Sequence, residues 1–212
     1  MDESEEINTI TIVIDSTISN ISYMFADCTD LIKINFTNMK ASKIKEMSNT
    51  FKGCTNLEII DFNTLDTSKV TSMENLFKGC TNLSDLNGFE KLDTSKLENI
   101  NEMFVNCTNL IVVNFSSFDL SRINQTKNIF QNNTSLKYVD LSNSRNINLS
   151  GIFNTNFSEN NNYPIIILDD EDISSQQNIN YTNWTTKSNF TKSKMTCKKG
   201  NNTENTEECK EC

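Results

Sequence analysis

Seven cysteines and the absence of histidine define the reactive side chains of this 212-residue chain. Without histidine, the Ser-His-Asp and Cys-His systems of nucleophilic catalysis are excluded, as are histidine-based metal sites. The thiols can form disulfides or be buried as small apolar groups. Four of them are regularly spaced and three lie near the C-terminal end: Cys28, Cys54, Cys80 and Cys107, then Cys197, Cys209 and Cys212.

The acidic side chains give a net charge of −9 and are concentrated in clusters at 2–6, 169–172 and 204–211. The run at 169–172 could hold a hard cation, but it lacks the ligand spacing of a calcium loop, so we interpret it as solvated surface. We predict no metal and no cofactor. The absence of a basic stripe disfavours nucleic acid as a partner, and no run of 18 apolar residues predicts a transmembrane segment.

An internal repeat positions the regular cysteines. Phenylalanines recur at intervals of 26, 26, 27, 26 and 23 residues, and the first four are each followed three residues later by cysteine. Further apolar columns follow at six and nine residues after each of the first five phenylalanines. Self-similarity at a fixed period of this length predicts a solenoid. The phenylalanines are Phe25, Phe51, Phe77, Phe104, Phe130 and Phe153.

Each repeat contains two periodicities. Leu57, Ile60 and Phe62 end in the alternation of a short strand. The next apolar residues step by 3, 4 and 3, which is typical of one face of a helix: Val70, Met73, Phe77 and Cys80. The sequence therefore predicts an α/β solenoid of about six coils, with one strand and one helix per coil.

Small polar residues fit the predicted helices. Ser42, Ser68, Ser95 and Ser121 precede the helical stripes, where a hydroxyl can cap a helix, and Gly53 and Gly79 fall where a helix would end. The alternative architecture is a right-handed parallel β-helix. The 3-4-3 spacing favours the helix-containing coil, because a strand would alternate.

The chain resembles the BspA-type leucine-rich-repeat surface proteins. The resemblance rests on "MSNTFKGCTNLEIIDFNTLDTSKVTSMENLFKGCTNLSDL" and "INEMFVNCTNLIVVNFSSFDLSRI", and it covers residues 7 to about 157. It implies a leucine-rich-repeat fold, a location at the cell surface or outside the cell, and a role in adhesion to proteins, cells or matrix. The fifth unit departs from the pattern with Asn133 in place of cysteine, and the sixth is shortened.

The regular cysteines are predicted to be free, buried thiols. Equivalent positions of stacked coils lie about 5 Å apart, within disulfide reach, but their side chains run parallel, which is poor geometry for a bridge. The three cysteines near the C-terminal end are candidates for disulfides, although their odd number leaves one unpaired or paired elsewhere.

Binding on such a solenoid is expected on the concave strand face. Two outward columns supply the candidates. We regard Tyr138 beside Asp140 as the best single anchor, because tyrosine is common at interfaces. One column is Asn35, Asp61, Asn87, Asn114 and Asp140, and the other is Lys33, Ile59, Asp85, Val112 and Tyr138.

Glycosylation sequons are frequent in the chain. If the source is a eukaryote, those on outward positions would carry glycans; if it is a bacterium, they carry no meaning. The candidates are Asn20, Asn35, Asn114, Asn148, Asn156, Asn180, Asn183 and Asn189.

Four regions follow from these patterns: an acidic leader at 1–6, the solenoid at 7–157, a capping strand and acidic loop at 158–173, and a polar tail at 174–212. No signal peptide is visible in the acidic start, which indicates a processed or cut segment or an intracellular protein; the resemblance favours the first.

The expected function is that of an extracellular or cell-surface adhesion module that binds a protein or glycan on another cell or matrix. The alternative is a structural subunit that self-assembles into a filament or coat. We predict no enzymatic activity, because no catalytic constellation emerges from the repeat.

Overall fold

A computed structural model describes residues 17–36, 43–142, 165–168 and 184–186. Its strands are β1 (Lys33–Asn35), β2 (Ile59–Asp61), β3 (Asp85–Asn87), β4 (Val112–Asn114), β5 (Tyr138–Asp140), β6 (Ile165–Leu168) and β7 (Trp184–Thr186). They form two parallel sheets, ordered β1-β2-β3 and β4-β5-β6-β7. One further element, a 3-10 helix at Phe89–Lys91, follows β3. The chain thus winds as a β-solenoid, one strand per coil.

A second ladder runs along the other side of the coils. Parallel bridges connect Asn20, Glu46, Ser72, Asn99 and Gln125 in four steps of 26 or 27 residues. About four complete turns are therefore described between residues 17 and 142. Our estimate of about six coils also counted residues 7–16 and 143–157, which lie outside the described residues.

The prediction of a helix in each coil is wrong. The segment with 3-4-3 spacing is a run of turns whose alternate backbone N–H groups bond to the next coil. Met73, Phe77 and Gly79 donate to carbonyls of Asn99, Met103 and Val105 at 2.9, 2.9 and 2.8 Å. An α-helix would use these N–H groups for its own i−4 bonds, so the two arrangements exclude each other.

Left-handed residues explain why the helix does not form. Asn49 and Gly53 have φ of 60° and 75°, and Asn75 and Gly79 have φ of 52° and 80°, so the backbone reverses hand every fourth residue. Asparagine and glycine tolerate this conformation. Gly53 and Gly79 are therefore part of the turn ladder and do not terminate a helix.

The serines predicted to cap helices have a different role. The Ser68 hydroxyl and backbone N–H donate to Asp66 Oδ1 at 2.6 and 3.0 Å, and Ser95 and Ser121 N–H groups bond to the aspartate two residues earlier. The Ser68 hydroxyl and, next, its N–H hold the pKa of Asp66 below its usual value. These are Asx turns at a corner of the coil. Ser42 lies outside the described residues.

Two columns of phenylalanine fill the core. Phe25, Phe51, Phe77, Phe104 and Phe130 stack with successive centroid distances of 5.5, 6.0, 5.2 and 5.9 Å. A second column, Phe36, Phe62, Phe89 and Phe115, meets the first mainly edge to face. A helix about 10 Å wide would hold coils further apart than strands about 4.8 Å apart do. Because the described coils have no such helix, nothing holds them further apart on one side than on the other. The physical reason for expecting a concave strand face is therefore absent from the described coils.

Gly88 accommodates the extra residue of the third repeat. Its φ is 74°, and a Cβ there would lie 2.9 Å from the backbone nitrogen of Asn63. The chain then forms the 3-10 helix, and Phe89 still fits between Phe62 and Phe115, with centroids 6.1 and 5.6 Å away. The break between the two sheets falls at this point.

We expect Gly88→Ala to lower the free energy of unfolding by about 2–3 kcal/mol, since it adds a backbone clash to the left-handed penalty of about 1–2 kcal/mol. Gly79→Ala is the matched control, because its φ is 80° but the nearest atom to a Cβ is 3.6 Å away. Urea unfolding of both variants measures the difference. Equal losses of unfolding free energy in the two variants would mean that the close contact with Asn63 does not destabilise Gly88→Ala.

Candidate functional site

The outward side chains of the strands form the surface on which we predicted binding. In the first sheet, Lys33, Ile59 and Asp85 lie in register, and Lys33 and Asp85 are exposed whereas Ile59 is half-buried. The corresponding column of the second sheet is Val112, Tyr138 and Ile165, also in register. The structure therefore divides the predicted column into a charged half and an apolar half.

The apolar half extends beyond the predicted residues. Ile111 and Val112 are 44% and 40% exposed, which is high for aliphatic side chains, and Tyr138 and Ile165 are half-buried. We call these four residues the apolar strip. Side chains paired in neighbouring parallel strands lie on one face about 4.8 Å apart, so Val112, Tyr138 and Ile165 form a continuous row across β4, β5 and β6, and Ile111 directly precedes Val112 in the chain. Because exposed contiguous apolar surface marks interaction sites, the strip is the candidate functional site.

Ile111 and Ile165 were not among the predicted binding residues. Ile165 follows Tyr138 by 27 residues, a spacing that occurs elsewhere in the repeat, but the columns around it are lost. Ile111 immediately precedes β4, and its position in the repeat is held by Ile32, Glu58, Ser84 and Lys137, so no pattern singles it out.

Most side chains of the Asn/Asp column accept hydrogen bonds within local turns. Asp61, Asn114 and Asp140 each accept the backbone N–H two residues later through Oδ1, at 2.9 Å. The backbone N–H of Asn63, and next its side chain, lower the pKa of Asp61 below its usual value. These bonds end each strand and begin the following turn.

The other two members of that column differ. The Asn87 Nδ2 donates to Asp85 Oδ2 at 3.3 Å, and Asn35 is exposed at the end of β1. In the second sheet, the position in register with Asp140 is Ile167, which is 5% exposed. The polar column therefore ends at β5.

Three of the four regular cysteines form a ladder inside the solenoid. The thiols of Cys54, Cys80 and Cys107 are free and fully buried. Each donates to a phenylalanine carbonyl of the preceding coil, at 2.9, 3.0 and 3.1 Å. Burial raises the pKa of Cys54 to about 11 and raises the pKa of Cys80 and Cys107 further.

Cys28 corrects the prediction that all four regular thiols face the core, because it is free but exposed. It belongs to the first described coil, where no earlier described turn segment covers it. Cys197, Cys209 and Cys212, the candidates for disulfides, lie outside the described residues.

Three candidate glycosylation sites lie in the described part. Asn20 and Asn35 are exposed, and Asn114 is half-buried. The Oδ1 atoms of Asn20 and Asn114 accept backbone N–H groups of Ser22 and Ser116 at 2.7 and 2.9 Å. Attachment of a glycan at their amide nitrogen leaves these acceptors in place. Asn148, Asn156, Asn180, Asn183 and Asn189 fall outside the described residues.

Strand β6 lies within the region for which we predicted a capping strand. It pairs in parallel with β5, and Ile166 is 1% exposed. Strand β7, from the region predicted to be a tail, pairs with β6 in turn. The sheet therefore continues for two strands beyond β5.

Neither a metal site nor a membrane span emerges from the described residues. In the described ranges, no three His, Cys, Asp or Glu side chains come together as metal ligands could. The same part of the chain contains no helix long and apolar enough to cross a membrane.

The stacked coils and their repeat pattern define a solenoid of the leucine-rich-repeat type. The chain belongs to the family described as "Mycoplasma protein of unknown function, DUF285", whose sequence profile matches residues 19–144. No curated protein matches the chain significantly.

Among solved structures, the chain is similar to a leucine-rich repeat protein from Bacteroides ovatus. The two are 21% identical with a TM-score of 0.41, over 69% of this chain and 41% of the other. The chain thus matches less than half of that protein's length.

Proposed function

We propose that this chain is a binding module of a cell-surface or extracellular protein and that it recognises a partner protein through the apolar strip. The exposure of Ile111 and Val112 next to Tyr138 and Ile165 is the observation that supports this function. Membership of the BspA-like group and a role in adhesion are parts of the same proposal. They rest on the repeat phrases and not on the strip.

A protein partner fits the strip better than a glycan. Three of its four side chains are aliphatic, and only Tyr138 could stack on a sugar ring. A glycan also needs free hydrogen-bonding groups beside the ring, whereas Asp140 Oδ1 and Asn114 Oδ1 already accept backbone N–H groups. Apolar contacts around a tyrosine, with charged side chains such as Lys137 at the border, are typical of protein interfaces.

The chain is proposed to have no catalytic activity of its own. The buried thiols have raised pKa values, which leaves them protonated and unreactive at neutral pH.

Site-specific photo-crosslinking tests the binding function. A benzoylphenylalanine placed at Tyr138 should give a discrete crosslinked product with one protein on the source cells or on the cells they contact. The same group at Lys96, which is exposed on another part of the coil, is the control. Equal products from both positions, or none from Tyr138, would contradict the proposal.

We expect Val112→Glu to reduce the Tyr138 crosslink at least tenfold, because a charge would have to be desolvated in the contact. The substitution lies on an exposed side chain, so the unfolding free energy should change by no more than about 0.5 kcal/mol. Asp85→Glu, in the matching column of the first sheet, should leave the crosslink unchanged. If Val112→Glu left the crosslink unchanged, the partner would not bind through the apolar strip. Labelling intact cells with a membrane-impermeant reagent tests the location separately.

A further inference from the structure

Asn87 and Gly88, at the end of β3, form the one Asn-Gly pair in the 212 residues. Asparagine followed by glycine is the pair most prone to spontaneous deamidation, because glycine has no Cβ to keep its backbone nitrogen away from the asparagine side chain. In a folded protein, the reaction also depends on the exposure of the asparagine and on the hydrogen bonding of the glycine N–H group. At the end of β3, both features favour it.

The side chain of Asn87 is open to solvent. It is exposed, so water and hydroxide can reach its Cγ atom. The hydrogen bond that its Nδ2 donates to Asp85 Oδ2 is long, at 3.3 Å. The amide group that would leave is therefore neither buried nor held firmly.

The Gly88 N–H group lacks the hydrogen bond that its equivalents make. In four other coils, the residue directly after the strand donates its N–H to a carbonyl of the next coil, at 2.7 to 3.2 Å. At Gly88, the extra residue of the repeat coincides with the break between β3 and β4, and no described acceptor takes this N–H group. The four paired donors are Phe36, Phe62, Phe115 and Leu141.

The peptide group between Asn87 and Gly88 is therefore held on one side only. Its carbonyl oxygen accepts the Phe62 N–H at 2.8 Å. The equivalent peptide between Asp61 and Phe62 is held on both sides, because the Asp61 oxygen also accepts the Phe36 N–H at 3.2 Å. To bring the Gly88 nitrogen to the asparagine Cγ, the peptide has to break one hydrogen bond between coils, whereas its equivalent would break two.

We propose that Asn87 is a site of spontaneous deamidation in the folded protein, with water as the co-reactant. The Gly88 nitrogen gives its proton to hydroxide and attacks Cγ of Asn87. The N–Cγ bond forms, the Cγ–Nδ2 bond breaks, and Nδ2 leaves as ammonia after taking a proton from water. Water then opens the resulting succinimide at either of its carbonyls. The products are aspartate and isoaspartate, and in isoaspartate the main chain passes through Cβ and Cγ.

The conversion changes the contact of β3 with β2. Either product adds a carboxylate beside Asp85, so repulsion between like charges replaces the hydrogen bond from Nδ2. Isoaspartate also lengthens the main chain and displaces the carbonyl that accepts the Phe62 N–H. The site therefore introduces a weakening that grows with the age of the protein, next to the break between the two sheets.

Incubation of the full 212-residue chain at pH 8 tests the proposal. Peptide mapping with electron-transfer fragmentation measures conversion at each asparagine and separates isoaspartate from aspartate. Asn114 is the internal control, because it also ends a strand but precedes Phe115, whose N–H donates to the Asp140 oxygen at 2.7 Å. We expect Asn87 to convert at least tenfold faster than Asn114, with isoaspartate among the products. A smaller ratio, or aspartate as the sole product, would overturn the proposal.

A synthetic peptide with the sequence of residues 83–92 separates the effect of the fold from that of the Asn-Gly pair. It contains the same pair without hydrogen bonds between coils, so it gives the rate of the free chain. We expect Asn87 in the folded chain to convert at one-tenth of the peptide rate or faster. Reaction through global unfolding alone would be far slower, because the unfolded fraction of a stable domain is small. A rate below one-tenth would show that β3 protects the site, contrary to the proposal.

Discussion

Replacement of Phe77 by alanine is expected to lower the free energy of unfolding by about 3–5 kcal/mol. Phe77 is 0% exposed, and its ring contacts those of Phe51, Phe62, Phe89 and Phe104 at centroid distances between 5.2 and 6.4 Å. It therefore joins both phenylalanine columns and both neighbouring coils. Its truncation leaves a cavity that the stacked backbone cannot close, because inter-coil hydrogen bonds fix the coil spacing.

Urea unfolding monitored by circular dichroism measures the effect, and two variants serve as controls. Phe77→Leu retains most of the volume and should cost less than about 2 kcal/mol. Tyr23→Ala also removes an aromatic ring but from a position that is 62% exposed, so we expect a change of about 0.5 kcal/mol or less. A loss below 1 kcal/mol for Phe77→Ala would show that the columns are not the core of the fold.

Raising the pH above 9 is expected to destabilise the protein through its buried thiols. Each folded-state pKa of Cys54, Cys80 and Cys107 is higher than the ordinary value of 9.0. The folded state therefore binds these protons more tightly, and the resulting stability is fully present below pH 9. It is lost as the pH rises towards the folded-state values, at about 1.4 kcal/mol per pH unit for each thiol. At pH 10.5 the three losses together reach about 6 kcal/mol, which is comparable with the whole stability of a typical domain.

The variant Cys80→Ala isolates one thiol from the lysines and tyrosines that titrate in the same range. At pH 8 it should be less stable than the parent protein, because it loses the thiol contact with the Phe51 carbonyl. Between pH 9 and 10.5 the difference should shift by about 2 kcal/mol in favour of the variant. Urea unfolding at pH 8, 9, 10 and 10.5 gives both curves. If the two curves of unfolding free energy against pH remain parallel, the folded state does not raise the pKa of Cys80.

The sequence was sufficient to identify which residues share a column. Phe25, Phe51, Phe77, Phe104 and Phe130 stack as their spacing predicts, and Leu57, Ile60 and Phe62 are buried. Burial in a repeat protein depends on the period, and the period is visible in the residues themselves. Even the one-residue insertion at Gly88 was readable, because Phe89 is delayed by one position.

Only part of the candidate site could be predicted from the repeat columns of the sequence. Val112 and Tyr138 lie in the apolar strip as members of a predicted outward column. Asp61 and Asp140 were assigned to binding, but they bond to backbone N–H groups two residues later. The same residue types serve solvated surfaces, ligand contacts and Asx turns, so their position in a repeat does not distinguish these roles.

The sequence by itself determined the period, the inward columns and the existence of a stack of coils. Only the tertiary structure decided the backbone conformation between Val70 and Cys80. A 3-4-3 spacing buries one face whether N–H groups bond four residues back or across to the next coil. The two arrangements differ in which carbonyl accepts each N–H group. In the stacked coils, the accepting carbonyl lies 26 residues away in sequence. The stacking of whole coils decides between the two arrangements, and a local sequence pattern carries no information about that stacking.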